Sequence, residues 1–161
     1  MDKKIRKRVF IIASVITFIL ILIYREKINY KDNNDINPIR SESTIVLNDY
    51  SGVTMTVKHV ADTKIAVNIN NSADESVTFG EDYILEVKEG NKWYSLPVND
   101  DIMFTSIGYA LKKGSDFQWS TDYEILYGIL PAGQYRIIKG FSIELQQETP
   151  KEYFISAEFS I

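Results

Sequence analysis

The sequence predicts an all-β fold, a two-sheet β-sandwich of about seven to nine strands, preceded by one N-terminal transmembrane helix. Three observations carry that expectation. From Thr44 onward apolar and polar residues alternate with the period of two that places one face of a strand in a core. Near the C-terminus, Tyr127-Gly-Ile-Leu-Pro-Ala-Gly-Gln-Tyr-Arg-Ile-Ile-Lys139 reads as a tight corner feeding a long strand. At the N-terminus, an uncharged apolar run follows a cluster of cations.

The run is Val9 to Tyr24, and Met1 to Arg8 before it holds five of the chain's Lys and Arg residues. Sixteen helical residues span about 24 Å against a hydrocarbon core of about 30 Å. Snorkelling of Arg8, Arg25 and Lys27 covers the shortfall. Tyr24-Arg25-Glu26-Lys27 offers no small-residue cleavage site, so an uncleaved signal anchor is expected over residues 9–24. The basic tail, residues 1–8, then stays cytoplasmic and the C-terminal domain lies outside the cell membrane, which the chain crosses once.

Residues 25–43 are polar and irregular and read as a linker, leaving 44–161 as the folded domain. Nineteen flexible residues reach roughly 25 Å, so the domain is expected to stay near the bilayer. Residues 1–27 hold seven Lys/Arg and two Asp/Glu; with the whole chain at −4, the remainder carries −9. That charge argues against nucleic acid as a partner.

Within the domain, Val53, Met55 and Val57 alternate with polar residues, as do Ile65, Val67 and Ile69, then Tyr83, Leu85 and Val87, and finally Tyr153, Ile155, Ala157 and Phe159. In the corner, Pro131 fixes its own φ and Gly133 is expected to turn through left-handed backbone. Tyr135, two residues on, is expected to lay its ring back over Leu130 to Gly133 and to bond a nearby backbone group. Thr121 and Glu124 have capping-box spacing and Gly128 can close a turn, so Trp119, Tyr123 and Tyr127 are placed on one face of a short helix. That face is either a plug over the sandwich or an aromatic ligand platform, and Trp119 and Tyr123 enter as partner-binding candidates.

Gly90-Asn-Lys-Trp-Tyr-Ser-Leu-Pro97, Leu111-Lys-Lys-Gly114 and above all the Tyr127 to Lys139 segment resemble a bacterial immunoglobulin-like domain family of exported and membrane-anchored proteins, mainly from Gram-positive bacteria. The resemblance covers about residues 52–159. It implies an immunoglobulin/fibronectin-III-like sandwich outside the cytoplasm and no enzymatic activity, and it supplies no ligand or functional residues. Trp93 is the third partner-binding candidate. A two-residue Gly90-Asn91 loop would put it outside beside Lys88, whereas one more residue or a bulge would bury it. Because immunoglobulin-like sandwiches often bury a tryptophan, core is the expectation.

Little in the sequence suggests chemistry. Cysteine is absent, which removes disulfides and thiolate metal sites, and no zinc pattern or phosphate loop is present. The single histidine, His59, shares the parity of Val53, Met55 and Val57 and is expected at a partly buried edge. Glu81-Asp82, Asp100-Asp101, Asp116, Asp122 and Glu124 read as solvated loop acids, with a hydrolase as a remote alternative and calcium at Asn99 to Asp101 as a minor one. No catalytic residue, cofactor or metal is assigned. The functional expectation is a non-catalytic interaction or scaffold domain with a protein partner at the membrane surface. The alternative is a glycan-binding module stacking sugars on Trp93, Tyr94 or Trp119.

Overall fold

The computed structural model describes residues 40–99, 102–143 and 151–161. The expected tail, anchor and most of the linker lie outside these residues. Among the described residues no helix is long and apolar enough to cross a membrane.

Among the described residues nine strands build two antiparallel sheets. The smaller holds β1 (Val53–Ala61), β2 (Lys64–Asn71) and β7 (Ser115–Asp122) in the order β1-β2-β7. The larger holds β3 (Val77–Phe79), β4 (Ile84–Glu89), β5 (Lys92–Ser95), β6 (Tyr109–Leu111), β8 (Gln134–Ile143) and β9 (Glu152–Ser160). Strand β8 is its axis. One edge of β8 pairs with β9 from Gln134 to Ser142; the other is shared, with β4 pairing Tyr135 to Ile138 and β3 pairing Ser142 and Ile143. Strands β5 and β6 extend the sheet beyond β4 and β3.

The alternation seen in sequence is the inner face. Ile65, Val67, Ile69, Leu85, Ile137, Phe141 and Ile155 are all buried between the sheets. Removal of such surfaces from water contributes about 25 cal/mol per Å², and with no cysteine in the chain this packing holds the sandwich. The parity of β1 breaks where its register on β2 shifts between Val57 and His59. The extra residue turns Val60 toward the core and leaves His59 exposed, so the expected half-buried histidine is not there.

The domain begins earlier than the sequence suggests. Glu42 bridges Tyr94, Ser43 N–H donates to Trp93 C=O at 2.8 Å, and Ser95 N–H donates to Ser41 C=O at 3.0 Å. Asn48 N–H then donates to Phe154 C=O on β9. Since β5 and β9 lie on opposite edges of that part of the sheet, the residues between form a strap across its outer face. Beneath it Glu86 is fully buried and takes a two-pronged ion pair from Arg136, whose Nη2 also reaches Ser43 Oγ.

Candidate interaction surface

Leu130 is buried and the Tyr135 ring is only 1% exposed, with its hydroxyl donating to the Pro131 carbonyl at 2.7 Å. This geometry is a tyrosine corner. Gly133 serves it differently from the expectation: its φ is not positive, and its backbone pairs with Ile161 in both directions. A Cβ there would lie 3.2 Å from the Tyr135 ring, so the glycine makes room for the ring instead of reversing the chain.

Upstream of the corner, the helical turn is shorter than the spacing implied. Helix α1 is Glu124–Tyr127 alone, and Trp119 belongs to β7. Thr121 caps nothing; Asp122 Oδ1 accepts the Glu124 N–H, and Gly128, at φ 68°, closes the turn by donating to Glu124 C=O. Trp119 and Tyr123 are 5% and 2% exposed. Neither can stack on a ligand, so both fail as contact residues and act as the plug. The Trp119 indole N–H donates to Glu81, which also accepts from the Tyr109 hydroxyl. The Tyr109 bond above all holds the Glu81 carboxyl below its ordinary value; burial opposes this, and the Trp119 N–H and Lys139 ammonium assist.

The residue that sequence reasoning passed over is Lys139. It lies on the inward parity of β8 and is 1% exposed. Its Nζ donates to Gly80 C=O at 2.8 Å and Asp82 C=O at 2.9 Å, and sits 3.8 Å from the Trp119 ring centroid. Those carbonyls belong to the connector between β3 and β4, where the edge of β8 changes partner and no ladder serves them. Tyr127 does the same one step on, its hydroxyl accepting from Leu85 N–H and donating to Tyr83 C=O.

Outside this plug lies an apolar flank. Asn99 N–H donates to Leu126 C=O, tying the β5–β6 connector to α1. Ile102, Met103, Phe104, Ile125, Leu126 and Tyr83 line a cleft of about 250 Å³ there. Met103 is 91% exposed and Ile125 63%, with Val98, Phe104, Ile107 and Ile129 also exposed on the same two segments. Monomeric surfaces scatter such residues singly, whereas here they gather on and beside two adjoining segments.

The profile of the family described as Bacterial Ig-like domain matches residues 49–160. The chain belongs to that family. No curated protein matches it. The match begins at residue 49, just after the strap.

Of the three aromatic candidates, the Ig-like domain leaves only Trp93 partly accessible. The Gly90-Asn91 loop has two residues, with Gly90 at φ 61°, and Trp93 pairs with Lys88 on the outer face. The expected core position is thus corrected: the short loop sets the parity, and Tyr94 takes the inner side. Arg136 lies 4.5 Å and Lys88 5.4 Å from the Trp93 ring centroid. Both cations thus lie against the ring on which a sugar would stack.

Of the acids singled out in the sequence, Glu81 and Asp122 line the same cleft, and both are engaged within the Ig-like domain. His59 stands exposed on β1, Glu81 is committed to Tyr109 and Trp119, and Asp122 serves the Glu124 N–H. No three of the described His, Asp and Glu residues are grouped to hold a metal ion. Asp100 and Asp101, the core of the calcium idea, lie outside the described residues.

Proposed function

We propose that this chain is a membrane-anchored, extracytoplasmic interaction domain that recruits a protein partner through its apolar flank without catalysing a reaction. The observation that carries the proposal is the exposure of Met103, Phe104 and Ile125 around a concave cleft on an otherwise ordinary sandwich. The basic tail and apolar run of residues 1–24 support the anchor, and the linker of residues 25–39 supports a position close to the bilayer. Membership of a bacterial Ig-like family supports a surface role.

The glycan reading loses its footing, because Trp119 is buried and the Trp93 ring is faced by two cations. The absence of cysteine makes the topology directly testable. A single Gln118→Cys, exposed on the outer face of the small sheet, should react with a membrane-impermeant maleimide in intact cells. Labelling only after lysis would refute the extracytoplasmic placement.

A further inference from the structure

We infer that the flank between the β5–β6 connector and α1 receives an apolar segment of a partner protein that carries Lys or Arg beside its apolar side chains. The inference rests on the interaction reading above and adds the chemistry of the partner. The floor of the cleft is apolar, so its occupant must bring an apolar side chain; about 250 Å³ accommodates one or two. The charged residues lining it are Glu81 and Asp122, with no Lys or Arg among them. Glu81 is engaged by Tyr109 and Trp119 with buried Lys139 nearby, so the acidic rim is carried by Asp122, with exposed Glu124 two residues on. Lys64 faces Asp122 across the β2–β7 ladder but lies outside the cleft and makes no ion pair with it among the described residues.

The wider field has the same sign. Residues 28–161 carry −9, which repels both a second copy of this domain and an anionic lipid surface. An apolar segment bearing cations meets both conditions: its side chain fills the cleft and its charges face the acidic rim. Rim charges of this kind steer encounter and select partners more than they add affinity.

The test places a photoreactive benzophenone amino acid at Met103 or Ile125 of the full chain in the producing cells, with Gln118 as control, and sequences the cross-linked peptides. The expected result is one partner segment joined at both flank positions and absent from the control, with Lys or Arg within a few residues of the joined site. Asp122→Asn, which keeps an acceptor for the Glu124 N–H and removes only charge, should cut the yield about threefold or more. An adduct with a second copy, with lipid or with a segment lacking cations overturns the inference, as does an unchanged yield from Asp122→Asn. A partner captured from a probe at Trp93 but not from the flank also overturns it, while leaving an interaction role standing.

Discussion

Lys139 keeps a charge inside the sandwich because every N–H of its ammonium has somewhere to go: two carbonyls and the face of Trp119. Burial still pulls its pKa down to about 8, against the opposing pull of Asp82 and Glu81. Below pH 8 native and unfolded chains are both protonated there and the full cost of burying the charge is present. Between about 8 and 10.5 the native state gives up the proton first, so stability rises with pH, on the order of 3 kcal/mol for this group alone. Above pH 10 the trend reverses, because Tyr127 is pushed up to about 12, mainly by burial, and is favoured by folding only while protonated. Urea unfolding followed by tryptophan fluorescence at pH 7 to 10 should show the rise, and Lys139→Met should abolish it. At pH 7 the same substitution orphans two buried carbonyls but also relieves the buried charge, so its net cost should be larger at pH 10 than at pH 7. A flat wild-type profile would count against this account of the lysine. Tyr135→Phe is a milder case at the same scale: losing the bond to Pro131 should cost about 1 kcal/mol in the same assay.

Among the strands, β4 and β8 are joined by an ion pair as well as a ladder, and Glu86 is completely buried beside an Arg136 side chain that is 13% exposed. Arg136→Met should therefore destabilise by about 3–5 kcal/mol, because it strands a buried carboxylate. Adding Glu86→Leu should recover much of that loss, which a double-mutant cycle in urea measures directly. Neither partner could be read as a pair from sequence. Glu86 looks like any outward residue of an alternating strand, and its burial beside Arg136 and Ser95 leaves no mark in the sequence. What was legible is what period two encodes: the inward faces of β1, β2, β8 and β9, and the corner at Pro131 and Tyr135. Features set by a single inserted or omitted residue were not. The bulge after Val57 moved His59 outward with no mark in composition, and the parity of Trp93 hung on whether its loop had two residues or three. Lys139 was missed because a cation on an inward parity reads as a break in the pattern until the unpaired carbonyls of residues 80–82 are known.

For the molecule as a whole, the question is where the folding unit starts. The family match begins at residue 49, whereas residues 40–161 form one compact unit. The difference is the strap, and its contribution can be bounded. It supplies two backbone hydrogen bonds to β5, one to β9 and the Ser43 contact to Arg136, and it crosses the face on which Ile138 is 1% exposed. Uncovering one large apolar side chain and several bonded groups costs about 2–4 kcal/mol. A chain beginning at residue 49 should therefore unfold at lower urea than one beginning at residue 40, with the same steepness of transition corrected for the smaller area exposed. Its amides at Trp93 and Ser95 should lose protection from hydrogen exchange, the latter because Ser41 no longer accepts its N–H and the former through fraying of the newly bare edge. Equal midpoints for the two chains would mean that the strap merely rests on the sheet. A lower midpoint with deprotection confined to β5 and the face around Ile138 would place the domain boundary at residue 40.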